Sequence, residues 1–99
     1  MAELNDYLRI LIDRDGSDLY LSTGAPPSIK AMGQLMPIAE SPLPKGRVEQ
    51  LAYAAMDEEQ IKDFERKPEM NLAISEVSLG RFRVNIFKQR GEVSMVIRS

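Results

Sequence analysis

The sequence contains no cysteine and no histidine. Without cysteine there is neither a disulfide framework nor a thiolate metal site. Without histidine the chain lacks the commonest general base and metal ligand. These absences exclude much of familiar catalysis, and we expect no metal site in this chain. The acidic run DRDGSD, residues 13 to 18, has the glycine too early for a calcium loop and lacks the closing glutamate.

Long apolar runs and an excess of basic residues are also missing. No run approaches the roughly 20 residues that span a bilayer, and the first residues, MAELNDYLRI, do not have the pattern of a signal peptide. We therefore expect a cytoplasmic protein that is not inserted in a membrane. The formal net charge of -2 argues against nucleic acid as a partner.

The length and the hydrophobic pattern predict a single α+β domain. Ninety-nine residues, 43% of them hydrophobic, fit one compact unit. Apolar residues at helical spacing predict a helix over residues 3 to 14, with Gly16 as its C-terminal stop. Strand alternation follows over residues 17 to 22, and SIKAM, Gly33-Gln34 and LMPI predict a hairpin in which Pro37 marks a sheet edge or a strand end.

The second half of the chain repeats this change from helix to strand. Helical spacing begins at Val48, and Asp57 with Gln60 resembles a capping box that starts another helix through Phe64. Strands are predicted at MNLAIS, RFRVNIF and EVSMVIR. The order is therefore α-βββ-αα-βββ, with about six strands in a mostly antiparallel sheet, because short turns join successive strands. We expect most of the methionines to fill the core.

The last predicted hairpin places two arginines opposite each other. A turn centred on Arg90-Gly91 sorts the apolar residues onto one face and pairs Arg83 with Arg98, whereas a three-residue loop would mix polar and apolar residues. Directly opposed cations repel by a few tenths to about 1 kcal/mol. Either both side chains extend into water or pair with nearby carboxylates, or they form a clamp for phosphate oxygens. Composition does not decide between these alternatives.

Several segments together resemble a known family of motors. SDLYLSTGAPPSIKAMGQLMPI and GRFRVNIFKQRGEVSMVIR are similar to the amino-terminal domain of the type IV pilus retraction ATPases, within the type II/type IV secretion ATPase family, and the likeness covers nearly the whole chain. Within that family, LMPIAESPL and QR...SMVIR are more similar to the PilU-type accessory ATPases than to the PilT type.

The resemblance implies a PAS-like domain over residues 1 to 99, followed in the parent protein by a RecA-like ATPase domain that this chain does not contain. In that family the domain closes over ATP and Mg held by the ATPase domain, and Arg83 and Arg98 match arginines that approach the phosphates. Arg81 lies on the same face of an ideal strand and would support them. The resemblance also implies a homo-hexamer whose amino-terminal domains pack on neighbouring subunits, and a place in the pilus retraction machinery at the inner membrane, which drives twitching motility.

One departure from the family concerns the chemistry itself. The chain has no Walker A loop and no assignable Walker B carboxylate, so we do not expect it to hydrolyse ATP or to hold a cofactor alone. Two other functions remain open. The chain would serve as a stand-alone PAS-like sensor if polar side chains faced inward to bind a small ligand, or as a structural assembly module if the arginines bound acidic residues of a neighbouring subunit.

Overall fold

The computed structural model describes residues 2–99, which form three helices and six strands in the predicted order. The elements are α1 (Leu4–Asp13), β1 (Asp18–Ser22), β2 (Ser28–Ala31), β3 (Gln34–Pro37), α2 (Arg47–Ala54), α3 (Glu58–Arg66), β4 (Glu69–Glu76), β5 (Gly80–Gln89) and β6 (Glu92–Arg98). The prediction of an α+β domain with the order α-βββ-αα-βββ is confirmed.

All six strands belong to one sheet with the order β3-β2-β1-β6-β5-β4. Each pair of neighbouring strands is antiparallel. β3 is an edge strand, which agrees with Pro37, since proline has no N–H to donate to another strand. Strands from the first and last parts of the chain lie side by side at the centre of the sheet, because β1 pairs with β6.

The core lies between the helices and one face of the sheet. Alternate residues of the central strands are buried, as the two-residue period of a strand requires. They form one apolar cluster with the inward stripes of the helices. The largest fully buried side chains are Phe64, Phe82, Leu8, Leu11, Leu19, Leu21, Ile29, Leu51, Ile86, Met95, Ile97 and Val48. We call the other side of the sheet the open face; its central residues are Asp18, Tyr20, Asn71, Ala73, Arg81, Arg83, Asn85, Val96 and Arg98.

The end of α1 differs from the prediction. We expected Gly16 to stop the helix, but the residue in the left-handed conformation is Asp15, with φ 54°. The Gly16 N–H donates to the Leu11 carbonyl at 2.8 Å, and the Asp15 N–H donates to the Ile12 carbonyl at 3.0 Å. These two bonds form a Schellman motif, in which the left-handed residue directly follows the C-cap. Asp15 therefore takes the position expected for glycine.

The β2–β3 turn lies one residue earlier than predicted. Its central residues are Met32 and Gly33, with φ 52° and 77°, whereas the sequence indicated Gly33 and Gln34. A two-residue hairpin turn with both φ positive matches the strand twist, and this preference outweighs the strain at a methionine. Met32 is 98% exposed and is the exception to the expectation that most of the methionines fill the core. Four other methionines are buried or pack partly against the core, as expected: Met36, Met56, Met70 and Met95.

The predicted capping box at the start of α3 is confirmed. The Gln60 N–H donates to Asp57 Oδ1 at 2.8 Å, and the Asp57 N–H donates to Gln60 Oε1 at 3.0 Å.

Of the helices in residues 2–99, none has the length and apolar character needed to cross a membrane.

Candidate functional site

The β5–β6 hairpin has the predicted register. Arg90 and Gly91 form its two-residue turn, with φ 55° and 80°. Arg83 pairs with Arg98, and Val84 pairs with Ile97. The alternation of apolar and polar residues fixed this register, because a shift by one position would have exchanged the two faces of the sheet.

Arg83 and Arg98 lie on the open face, directly across from each other. In an antiparallel pair the opposed Cα atoms are roughly 4.5–5.5 Å apart, so their side chains leave the sheet together. Both arginines are exposed. They line a shallow hollow of about 620 Å³ with Asn71, Leu72, Val84, Asn85 and Val96. An anion arriving from solvent would therefore meet both guanidinium groups.

The two arginines have different neighbours. Arg98 forms an ion pair with Asp18 of β1, in which Nε lies 3.4 Å from Oδ2. The Arg98 side chain remains 68% exposed, whereas that of Asp18 is only 16% exposed. Among residues 2–99, no carboxylate oxygen lies within 4.0 Å of the Arg83 guanidinium. Arg98 thus pairs with a carboxylate and Arg83 is exposed to solvent, while the phosphate clamp stays a prediction.

Arg81 lies on the same side of β5, as the period of a strand predicts. It pairs with Ser75 of β4, next to the position where Arg83 pairs with Ala73. Arg81, Arg83 and Arg98 line a second, smaller hollow. Three guanidinium groups therefore gather on one side of a chain whose net charge is negative. The resulting positive potential is local and favours anions.

An amide pair lies beside the arginines in the larger hollow. Asn85 Nδ2 donates to Asn71 Oδ1 at 2.8 Å across β4 and β5. Asn85 is two residues from Arg83 on the same face of β5. No motif in the sequence marks this pair, although Asn85 alternates with Arg83 on the polar side of the predicted strand. The amides offer polar hydrogen-bonding groups next to the cations.

Asp18 and Tyr20 form the part of the open face that belongs to β1. Partial burial raises the pKa of Tyr20, and the charge of Asp18 acts in the same direction, while Arg98 acts against both. The Tyr20 hydroxyl therefore stays protonated at neutral pH. The sequence placed both residues on one strand face, but gave no sign that this face would lie beside Arg98.

The core formed by residues 2–99 is apolar. Its buried cluster is apolar, and Ser94 is the single buried polar residue in the part of the chain that the structure describes. Residues 2–99 also contain no group of three or more acidic side chains placed to hold a metal ion. The exposed arginines of the open face, of which Arg83 and Arg98 line both hollows, are the candidate site.

Comparison with curated proteins relates the chain to pilus ATPases. It is 41% identical over 96 residues to the type IV pilus ATPase PilU of Pseudomonas aeruginosa, an alignment that covers 97% of this chain and 25% of PilU. It is 34% identical over 97 residues to the type IV pilus retraction ATPase PilT of the same organism, covering 98% of this chain and 28% of PilT. The chain thus spans about a quarter of the length of these relatives. No protein-family model matches it.

Solved structures agree with this relationship. The chain superimposes on a crystal structure of the pilus retraction motor PilT with bound ADP with a TM-score of 0.92 and 29% identity, covering 100% of this chain and 29% of that one. The ATPase DotB of Legionella pneumophila has the same fold, with a TM-score of 0.81 and 17% identity over 97% of this chain and 28% of DotB. The predicted relationship to the pilus retraction ATPases is confirmed, and so is the greater similarity to PilU than to PilT.

Proposed function

We propose that this chain, which is homologous to the amino-terminal region of the type IV pilus ATPases PilU and PilT, is the nucleotide-sensing domain of a pilus retraction motor. It closes over ATP held by a following RecA-like domain, and Arg83 and Arg98 contact the phosphates. One observation carries the proposal: two exposed arginines occupy directly paired positions on the open face.

The electrostatics of this pair favour a multiply charged anion. Two opposed cations destabilise the free domain slightly, and a phosphate between them removes that repulsion. Guanidinium forks match phosphate oxygens in geometry and form charge-assisted hydrogen bonds with them. ATP presents more negative charge than ADP, so the closed arrangement is favoured with the triphosphate and relaxes after hydrolysis.

The partners follow from the same proposal. The following domain supplies the Walker motifs, the ATP and the Mg ion, and this chain supplies arginines but no catalytic base. Its remaining surface packs on the neighbouring subunit of a homo-hexamer. The ring works in the cytoplasm, at the inner-membrane face of the pilus machinery, where retraction drives twitching motility.

Alanine substitution in the full-length ATPase that carries this domain tests the phosphate contact. We expect Arg83→Ala and Arg98→Ala each to lower ATP turnover at least about tenfold, since donors aimed at developing charge typically contribute that much or more. Arg66→Ala is the matched control, because Arg66 is an exposed arginine on α3 whose partner is Asp63. Unchanged turnover in both open-face variants would refute the phosphate role.

A structural assembly role is the second candidate, and the Arg98–Asp18 ion pair favours it, because it shows a carboxylate bound by one of the arginines. In that case the arginines would bind acidic residues of the neighbouring subunit. Sedimentation of the full-length variants without nucleotide separates the two functions. Loss of the hexamer in nucleotide-free Arg83→Ala supports assembly, whereas an intact hexamer with low turnover supports phosphate sensing.

A further inference from the structure

We propose that Asp18 is a positioning residue for Arg98: it holds one of the two sensing arginines in place while Arg83 remains mobile. The inference rests on the proposed function, because a fixed guanidinium matters to turnover only if nucleotide meets it. The restraint of Arg98 by Asp18 exists in the free domain, so it is measurable without nucleotide.

The strand register sets Asp18 in a row of cations. Asp18 pairs with Lys30 on β2 and with Arg98 on β6, and Arg98 pairs in turn with Arg83 on β5. Asp18 is the single carboxylate in this row across four strands. Within residues 2–99 it lies within 4.0 Å of the Arg98 side chain but not of the Lys30 ammonium. The carboxylate thus contacts one of its two cationic neighbours.

The two partners of the ion pair differ in exposure, and this difference indicates which one restrains the other. The Asp18 side chain is short and 16% exposed, whereas the Arg98 side chain is long and 68% exposed. The less mobile, more buried group therefore restrains the more mobile one. The contact reaches Nε, the guanidinium nitrogen nearest the backbone. The two terminal nitrogens carry four further N–H groups, and because the side chain is 68% exposed a phosphate can reach it from solvent.

The backbone beside Arg98 is held as well. The Ser99 N–H donates to the Ser17 carbonyl at 3.2 Å, and Ser99 Oγ donates to the Gly16 carbonyl at 3.1 Å. These bonds continue the β1–β6 pairing past Arg98, so its Cα is fixed relative to Asp18. Arg83 also has a fixed backbone, because β5 is paired on both sides. The difference between the two arginines therefore lies in their side chains.

A simpler role for Asp18 would be to neutralise charge. Under that role the carboxylate only reduces the attraction of the site for anions, and its removal would strengthen nucleotide binding without slowing turnover. Positioning predicts a different result. Under positioning, Asp18→Asn leaves nucleotide binding in the ground state equal or tighter, because a negative charge is gone. It lowers kcat, because the Arg98 side chain must then be ordered each time the transition state forms.

Side-chain NMR relaxation of the 99-residue chain without nucleotide is the first test. We expect the Arg98 Nε–H to be more ordered than that of Arg83, and Asp18→Asn to remove the difference. Asp63→Asn is the control, since it removes another arginine–aspartate ion pair, with Nη2 and Oδ1 3.0 Å apart, and should leave Arg98 unchanged. Arg98 as mobile as Arg83 in the unsubstituted chain would overturn the proposal, whether or not Asp18→Asn folds.

Steady-state kinetics of the full-length ATPase are the second test. We expect Asp18→Asn to lower kcat on the order of tenfold with KM unchanged or lower, and Asp63→Asn to change neither. If Arg98→Ala lowers turnover but Asp18→Asn does not, the positioning role is wrong and the phosphate role stands. If NMR shows Arg98 held by Asp18 while both arginine variants keep full turnover, the holding stands and the proposed function is wrong.

Discussion

Gly16 lies so close to the buried Leu11 side chain that a Cβ on the glycine would be 2.7 Å from Leu11 Cδ1. On another side the same Cβ would be 3.2 Å from the Lys30 carbonyl oxygen of β2. Leu11 is fully buried and has little room to move. Gly16 is therefore required for space where α1 meets the sheet, while Asp15 supplies the left-handed residue.

Gly16→Ala should destabilise the domain by roughly 1–3 kcal/mol, the usual range for forcing extra volume into a packed site. The fall in unfolding free energy is measurable by urea denaturation. Asp15→Gly is the matched control and should stabilise by up to about 1 kcal/mol, because glycine adopts φ 54° without strain. If Gly16→Ala proved neutral, the close contact with Leu11 would be wrong.

The sequence predicted local pairing well and distant pairing poorly. The register of β5 and β6 followed from alternation and a short turn, which act within twenty residues. The pairing of Asp18 with Arg98 joins strands from opposite ends of the chain, and no local pattern specifies which strand lies beside β6. No pattern in the sequence therefore indicated that Asp18 forms an ion pair with Arg98.

Turn and helix ends were misplaced by one residue for a related reason. Glycine is the usual left-handed residue, so the sequence indicated Gly16 and the pair Gly33-Gln34. In the structure Asp15 and Met32 take positive φ values, because the helix end and the hairpin twist fix where such residues must lie. The cost of a left-handed conformation at a residue other than glycine, roughly 1–2 kcal/mol, does not outweigh the packing of whole elements.

The capping box of α3 leads to a stability prediction. Asp57→Ala removes the acceptor of the Gln60 N–H bond and should lower the unfolding free energy by about 1 kcal/mol. Glu59→Ala is the control: it removes a first-turn charge but no cap, so a change of a few tenths of a kcal/mol is expected. Urea denaturation of the two variants and the unsubstituted chain would give both changes in unfolding free energy, provided that the slopes of the three curves are equal. Equal effects of the two substitutions would contradict the capping role.

The tyrosines predict a loss of stability in alkaline solution. Partial burial raises the pKa of Tyr20 above 10.0, with Asp18 adding to the effect, and burial followed by the charge of Glu65 raises the pKa of Tyr53. In such a case the folded chain keeps a proton that the unfolded chain releases. The stabilisation is complete below about pH 10 and is lost as the pH rises through the raised pKa.

Denaturation at increasing pH tests this effect. The unfolding free energy should fall from about pH 10 upward, and Tyr20→Phe or Tyr53→Phe should make the decline shallower. Asp18→Asn should lower the pKa of Tyr20, which NMR titration of isotope-labelled tyrosine would show, and should leave that of Tyr53 unchanged. If neither phenylalanine substitution changed the decline in unfolding free energy, groups other than Tyr20 and Tyr53 would be its cause.

The unequal surroundings of Arg83 and Arg98 predict opposite effects on the stability of the free domain. Arg83→Gln removes repulsion without breaking an ion pair and should raise the unfolding free energy by a few tenths to about 1 kcal/mol. Arg98→Gln leaves the largely buried Asp18 carboxylate without its cation and should lower it by about 1 kcal/mol. The gain at Arg83 should shrink in 1 M salt, where the screening length is roughly 3 Å. Urea denaturation at low and high salt would measure both, and a shift of the same sign in the two variants would show that Asp18 does not distinguish the arginines.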